Sequence, residues 1–306
     1  MLSSLQLWRD RRGRLSILRI VTLGLLLWPI VLAIAAADDI RFAARPINEL
    51  IHRAGFWALM FVLLTLAVTP LRRIGRFGQL IDIRRMLGVG AFCYAVAHIS
   101  LYCADQKFDL VKVASEIALR LYLTIGFVAL LGLTALASTS TDRMVRRLGG
   151  RRWQRLHQAV YAIALLALIH FFQQTKLDEW VPTFVAGLFG WLMGYRLLIW
   201  SRKTNDEPSP WMLLGFTVVV SALTFTFEAI GLGIAFHVSP LMVLQTAFDF
   251  DFETLDIRPG WLVLAAGLCV VALDIVRAWW RGPVSKRQRP PPMGRERAKP
   301  VPASNF

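Results

Sequence analysis

The 306 residues of this chain are 56% hydrophobic and 18% charged, with a mean hydropathy of +0.52. A soluble domain of this length would be less apolar, and the formal net charge of +15 falls in short clusters between apolar runs. Because the basic residues form no continuous face or stripe, the composition argues against nucleic-acid binding and indicates a polytopic membrane protein.

Eight apolar runs approach the roughly 20 residues that a helix needs to cross the hydrocarbon layer. They predict an all-α, polytopic transmembrane bundle of about eight helices. The first run follows "RDRRGR" and leads to "AIAAADD", as a signal peptide would, but its length favours a retained helix. The eight runs lie at about 15–36, 54–71, 86–104, 119–138, 156–172, 180–200, 211–236 and 260–280.

Lys and Arg clusters predict the orientation of the bundle. The clusters "RDRRGR", "PLRRIGRFGQLIDIRR", "TDRMVRRLGGRRWQR", "SRKTNDE" and "RGPVSKRQR" all fall on one side, and the other connections are poorer in basic residues. By the positive-inside rule this side is cytoplasmic, which places both termini in the cytoplasm.

Three histidines lie in or beside the apolar runs: His98 in the third run, and His157 and His170 in the fifth. Strongly polar side chains inside membrane helices are costly and usually functional, and histidine is a common haem ligand. At a rise of about 1.5 Å per residue, His157 and His170 lie about 20 Å apart, which suits two haems stacked across one bilayer. The alternative is that each histidine is a hydrogen-bonded packing residue, and the spacing alone leaves it open.

The angular relation of the two histidines is less regular. On an ideal helix their side chains point about 140° apart. Either the helix is locally unwound, or the haems sit in different clefts beside it.

Three segments, in this order, resemble the MsrQ (YedZ) family, the haem-binding membrane subunit of the periplasmic methionine-sulfoxide reductase system. They are "AGFWALMFVLLTLAVTPLRR", "RRMLGVGAFCYAVAHISLY" and "TSTDRMVRRLGGRRWQRLHQAVYAIALLALIHFF". The family belongs to the ferric-reductase-like transmembrane superfamily, and the resemblance covers roughly the first six helices. "LRLYLTIG" at 119–126 lacks the proline that members usually have after the arginine, which affects only the start of the fourth helix.

The resemblance implies a bacterial inner-membrane cytochrome with one or two b-type haems, and FMN as a further cofactor. It carries the haem ligands over to His98, His157 and His170. The topology places His98 and His170 near the outer face and His157 near the inner face, and we predict that His98 and His170 ligate one outer haem from adjacent helices. Electrons from the quinone pool or a cytosolic flavin reductase would pass outward to a periplasmic molybdopterin subunit that reduces methionine sulfoxide in oxidised proteins. The chain would then be an electron-transfer subunit rather than the catalytic subunit of an oxidoreductase.

Two other functions stay open. A ferric-reductase or NADPH-oxidase-like membrane core would need an attached nucleotide and flavin domain, for which the tail is expected to be too short. A haem-free transporter or scaffold would leave three deep histidines unexplained.

The predicted organisation has four parts. Residues 1–14 form a basic cytoplasmic N-terminus, and residues 15–200 form a six-helix haem-binding core. Residues 201–281 add two transmembrane helices beyond the usual family length. Residues 282–306 are Pro-rich and basic, and we expect a disordered tail that lies against membrane lipid.

The resemblance also leads to a prediction about the inner haem. In the wider superfamily the third helix carries two histidines, each facing one on the fifth helix. Here the residue fourteen before His98 is Arg84, which a helix keeps within about 40° of the same face. We predict contact between Arg84 and the inner haem or its propionates. Arg84 could instead be a positive-inside anchor, with an inner haem that is five-coordinate, takes water or is replaced by FMN.

Other polar residues carry weaker predictions. Glu228 is either a quinone or proton site or, in the simpler interpretation, a buried structural hydrogen bond. Arg151, Arg152 and Arg155 are candidates for haem propionates or FMN phosphate, and equally for ordinary positive-inside residues. The acidic, aromatic connection at 238–259 is a candidate partner-docking loop or an inert loop. The remaining expectations are interfacial roles for His52 and His237, an interfacial ion pair or simply solvated side chains for Asp274 and Arg277, and core positions for Cys93, Cys103 and Cys269.

Overall fold

A computed structural model describes residues 8, 14–42, 44–175, 179–202, 207–247 and 257–281. Within these residues the chain is helical and contains no β-strand. The helices are α1 (Ile17–Ala35), α2 (Ala37–Phe42), α3 (Pro46–Ile74), α4 (Ile81–Asp105), α5 (Leu110–Leu119), α6 (Leu121–Ser138), α7 (Asp142–Leu148), α8 (Gly150–His157), α9 (Val160–Gln174), α10 (Trp180–Ser201), α11 (Pro210–Phe236), α12 (Pro240–Thr246) and α13 (Pro259–Arg281).

The prediction of an all-α bundle with eight membrane helices is confirmed by the length and composition of the described helices. Seven candidate spans correspond to α1, α3, α4 with the short turn before it, α6, α10, α11 and α13, and the eighth combines α8 and α9. Residues 282–306 and the acidic stretch 248–256 lie outside the described residues, so the tail and the acidic part of the docking loop stay predictions.

The fifth predicted helix is interrupted. α8 ends at His157, Gln158 and Ala159 form a turn, and α9 begins at Val160. A single helix over 156–172 was therefore wrong in detail. Gln158 and Ala159 keep right-handed helical backbone angles, so the interruption is a local irregularity of the helix and not an unwound segment.

Helix α3 is the centre of the bundle. Over its apolar window 56% of the residues are buried, against 11% for the windows of α1 and α4. It packs along α4 and also contacts α9, α10 and α13, while α6 packs along α9. Its central side chains Phe61 and Leu66 are fully buried. An apolar helix with little difference between its faces suits this position, because every side of it meets another helix.

The last two long helices pack on the rest of the bundle mainly through α10. α11 and α13 lie along each other, and both contact α10. The indole of Trp191 on α10 donates to the Thr217 hydroxyl on α11 at 3.1 Å. Glu207, just before α11, pairs with Arg73 at the end of α3 and accepts a hydrogen bond from Tyr195 on α10. Polar contacts therefore join these helices to both α3 and α10.

We call one end of the bundle the basic end: there α3 leads into α4, and α7 and α8 lie beside it. We call the opposite end the far end.

α1 packs on α4, where the Tyr94 hydroxyl donates to the Leu26 carbonyl at 2.7 Å. The core positions expected for Cys93 and Cys269 were wrong, because both side chains are exposed. They lie on outward faces of membrane helices, where an apolar run does not distinguish core from lipid-facing positions.

Candidate functional site at the far end

His98 and His170 come together at the far end of the bundle. His98 lies on α4 and His170 near the end of α9. Their ring centroids are 6.2 Å apart and their ring planes make an angle of 82°. An imidazole nitrogen lies about 2 Å from a metal that it binds, so two rings on opposite sides of one ion have centroids about 6 Å apart. The observed spacing fits a single iron between the two rings.

The two imidazoles are held in the same way. Nδ1 of His98 lies 2.8 Å from the carbonyl oxygen of Ile51, and Nδ1 of His170 lies 2.7 Å from that of Tyr122. Because a carbonyl can only accept, each Nδ1 carries the proton. Each Nε2 is left with a lone pair, the form in which histidine binds haem iron, and the carbonyl fixes the ring as such partners do in metalloproteins.

Each ring also lies against a glycine. A Cβ built on Gly55 would stand 2.9 Å from Nδ1 of His98, and one on Gly126 would stand 2.8 Å from Nδ1 of His170. Both distances are too short for real side chains. Each glycine lies one helical turn after the residue whose carbonyl the histidine bonds: Ile51 precedes Gly55, and Tyr122 precedes Gly126. The α3–α4 and α6–α9 pairs thus repeat one arrangement, which we call the histidine cradle.

A cavity of about 530 Å³ surrounds the two rings. This volume lies within the range of cofactor pockets. Its inner wall is apolar, and His52 also lines it. The interfacial position expected for His52 agrees with its exposed side chain. The apolar wall includes Phe56, Leu59, Val62, Leu130 and Phe171.

Polar side chains form the mouth of this cavity. The Tyr102 hydroxyl donates to Oε2 of Glu116 at 2.5 Å, and the guanidinium of Arg120 lies 3.5 Å from Oε1 of the same carboxylate. Arg120 also donates to the Tyr122 hydroxyl. This hydrogen bond, together with the charge of Glu116, raises the pKa of Arg120, so its guanidinium stays protonated beside the Glu116 carboxylate.

Among the described residues, no cluster of three or more His, Cys, Asp or Glu side chains could hold a metal ion. The donor set at the far end is therefore two imidazoles, which suits an iron already bound by a macrocycle and not a bare ion. The ligand chemistry, the ring spacing and the two glycines together fit haem. Sequence reasoning found both histidines but missed Gly55 and Gly126, whose role appears only when the two helix pairs are compared.

His157 lies at the basic end in a different setting. Its Nδ1 lies 3.0 Å from the carbonyl of Trp153 and its Nε2 lies 3.3 Å from the Ser140 hydroxyl. Its ring stacks on the Trp153 indole, with centroids 3.8 Å apart. Both ring nitrogens have partners here, and the described part of the basic end holds no second histidine near it.

Arg84 reaches the same end from α4. Its charge acts on His157, Tyr161, Arg196 and Arg72, and its predicted contact with an inner haem stays a prediction. Sequence reasoning missed Arg196, which lies inside α10 in the run "GYRLLIW". A single arginine within an apolar segment was the available signal.

The weaker candidates lie apart from the histidine pair. Glu228 is buried and pairs with Arg258 at 3.3 Å, in agreement with a structural role, while Asp274 and Arg277 form a pair at 3.2 Å. Both of these pairs are largely buried, so the pair of Asp274 with Arg277 is not a solvated one. His237 caps the end of α11 with a left-handed backbone, and the α8 arginines 151, 152 and 155 are exposed.

Residues 54–168 match the family model described as the ferric reductase like transmembrane component. The match spans α4 and α6 completely and most of α3 and α9. The match includes His98 and ends two residues before His170, so the helices that carry the site are of the ferric-reductase-like transmembrane class.

Comparison with curated relatives identifies the family within this class. The protein-methionine-sulfoxide reductase heme-binding subunit MsrQ of Xanthomonas campestris pv. campestris (strain 8004) is 44% identical over 160 residues, 52% of this chain and 72% of the relative. The subunit of the same name from Rhodospirillum rubrum is 37% identical over 203 residues, 66% of this chain and 95% of the relative. This chain belongs to the MsrQ family. No solved structure matches it.

Proposed function

We propose that this chain is a membrane cytochrome b that delivers electrons to a periplasmic methionine-sulfoxide reductase subunit. The observation that carries this proposal is the facing pair His98 and His170, each with Nδ1 bonded to a backbone carbonyl. The names of the relatives, heme-binding subunits of a methionine-sulfoxide reductase, support it. When bound, haem b supplies a one-electron couple between ferric and ferrous iron.

The chain's own residues decide how that couple is used. His98 and His170 would hold the iron through Nε2 from both sides, which leaves no open position for oxygen and favours electron transfer over oxygen activation. The apolar wall with Phe56 and Phe171 keeps water from the macrocycle. The Tyr102–Glu116–Arg120 network offers hydrogen-bond donors and a positive charge at the mouth, where acidic groups of the macrocycle would meet solvent.

The basic end would hold a second redox group. His157 is the candidate ligand on one side, and Arg84 supplies positive charge near it. Binding through Nε2 of His157 replaces its contact with Ser140. FMN is the alternative occupant, because its phosphate suits the exposed arginines 151, 152 and 155 of α8. A measured content of two haems per chain would favour a haem at the basic end. A content of one haem and one FMN would favour FMN there.

The electron acceptor and the electron donor would bind at opposite ends of the bundle. With both termini in the cytoplasm, the far end faces the periplasm of a bacterial inner membrane, where a molybdopterin subunit would accept electrons. The basic end would face the donor, either a cytosolic flavin reductase or the quinone pool. An apolar groove of about 640 Å³ between α9, α10 and α11 lies nearer the far end, beside the turn of α9 that carries His170, so a quinone bound there would approach the far-end site and not the basic end. The α7 and α8 arginines would suit an acidic soluble donor.

The experiment is a stopped-flow reoxidation. The purified full-length protein is reduced, mixed with its periplasmic reductase subunit, and followed at the reduced haem band after addition of methionine sulfoxide. Reoxidation that depends on both the subunit and methionine sulfoxide is expected, and it should be lost in His170→Ala. Equal reoxidation without the reductase subunit would contradict the proposal.

A further inference from the structure

Arg196 is a charged side chain inside a membrane helix. It lies five residues before the end of α10, about 7 Å along the axis. Its Nη1 donates to the carbonyl of Leu192 and its Nη2 to that of Leu66 on α3, both at 2.6 Å. The guanidinium also lies over the Tyr161 ring, 5.3 Å from the centroid. Its Nε is buried and has no hydrogen-bond partner among the described residues.

Arg84 approaches the same place from α4. Its side chain is half-buried, and the ionisable groups whose charges act on it are Tyr161, Arg196 and Arg72. Within the described part of the chain, neither Arg84 nor Arg196 forms an ion pair. The described acidic side chains that form ion pairs at the basic end all pair with other arginines: Glu207 with Arg73, Asp142 with Arg85, and Asp274 with Arg277.

Two neighbouring guanidiniums without a carboxylate are unfavourable at the edge of a bilayer. Each loses part of its hydration, and the two charges repel each other in a medium of low dielectric constant. The helix carbonyls that hold Arg196 satisfy its Nη hydrogens but carry no net charge. An anion between the two side chains would supply the missing charge and accept from the Nε of Arg196.

We propose that Arg84 and Arg196 form a binding site for an oxyanion, the phosphate or carboxylate group of a membrane-embedded ligand. The planar guanidinium matches the spacing of two oxygens on such a group, and arginine is preferred for this reason over lysine. Two sources have this chemistry. One is the phosphate of an anionic phospholipid, and the other is an acidic group of a cofactor at the basic end, which rests on the proposed function.

A purely structural role for Arg196, as a link between α3 and α10, makes a different prediction. It requires the two hydrogen bonds from Arg196 to backbone carbonyls but no anion, and Arg84 has no role in it. Arg84→Gln leaves the contacts of Arg196 with Leu192 and Leu66 untouched, so this variant separates the two roles. Arg146→Gln, an exposed site on α7 at the same end, removes the same charge and serves as the matched control.

The test uses native mass spectrometry of the full-length protein released from nanodiscs of phosphatidylcholine, with or without phosphatidylglycerol, together with haem quantitation. For a lipid source, wild type and Arg146→Gln should retain one phosphatidylglycerol, and Arg84→Gln and Arg196→Gln should retain it about tenfold less. If the oxyanion belongs to a cofactor, Arg84→Gln and Arg196→Gln should instead lower the haem or FMN content of the protein, or shift the redox midpoint of that cofactor.

Wild-type lipid retention, cofactor content and midpoint in both Arg84→Gln and Arg196→Gln would overturn the oxyanion site. Loss in Arg196→Gln alone would also overturn it, because that result is expected of the structural link. The lipid measurement does not require haem. A chain without haem that still retains phosphatidylglycerol through both arginines would therefore contradict the proposed function and support this site.

Discussion

Replacing Gly126 by alanine puts a methyl group where the His170 ring now lies. A Cβ at this position would stand 2.8 Å from Cε1 and Nδ1 of His170, against an ordinary carbon contact of about 3.5–4.0 Å. The ring must therefore retreat by about 1 Å. That movement stretches the 2.7 Å hydrogen bond from Nδ1 to the Tyr122 carbonyl beyond useful length.

The cost can be estimated from two contributions. Overpacking a core site costs about 1–3 kcal/mol, and a lost hydrogen bond adds about 1 kcal/mol. Because about 1.4 kcal/mol is a factor of ten, haem affinity should fall about 30-fold or more if the cost falls on the haem-bound state. Gly55→Ala should act in the same way on His98, where the Cβ would stand 2.9 Å from Nδ1.

The assay is haem content after purification, with the rate of haem transfer to apomyoglobin as a second measurement. Gly215→Ala is the matched control, because it lies in α11 with nothing within 4 Å of its Cβ position. Alanine is favoured over glycine in a helix by about 1 kcal/mol, so this variant should fold at least as well as wild type. Full haem content and an unchanged transfer rate in both Gly55→Ala and Gly126→Ala would refute the histidine cradle.

Three further outcomes are expected. His98→Ala should lose the low-spin haem signal of the far end while His52→Ala keeps it, and equal haem content in the two variants would contradict the ligand assignment. Glu228→Leu should lower stability by about 1–2 kcal/mol, because Arg258 loses its carboxylate partner but keeps the Thr246 hydroxyl and stays partly exposed. Most of that loss should return in the double variant with Arg258→Met, as measured by thermal unfolding, and no recovery would show that the ion pair is not the cause. Deleting residues 202–306 should leave the far-end haem spectrum intact, because every described residue that lines its cavity precedes position 175. Loss of that spectrum in a folded truncated protein would show that α11–α13 support the site.

Much of the fold was predictable because the bilayer constrains it strongly. Hydropathy and length located all eight membrane helices, and the predicted topology placed His98 and His170 near the same face of the membrane. The break at Gln158 and Ala159 was not predictable, because neither residue is a helix breaker and the turn depends on how α8 packs. Sequence pattern likewise could not separate lipid-facing from buried positions, which is why Cys93 and Cys269 were misplaced.

The details of the site depend on contacts between distant segments. The carbonyls that fix the histidines lie 47 and 48 residues before them, and a backbone acceptor leaves no trace in the choice of residue. Gly55 and Gly126 were visible in the sequence, but a glycine in a membrane helix is common. The approach of Arg84 on α4 to Arg196 on α10 became visible only when the helices were packed.

The reduced-minus-oxidised visible spectrum of the purified full-length protein, with haem quantitation, tests the proposed bis-histidine haem most directly. A low-spin b-type signal is expected in the wild type, and its far-end component should disappear in both His98→Ala and His170→Ala. A preparation without haem absorption, or a low-spin signal that survives in both variants, would contradict the assignment of these two histidines as axial ligands.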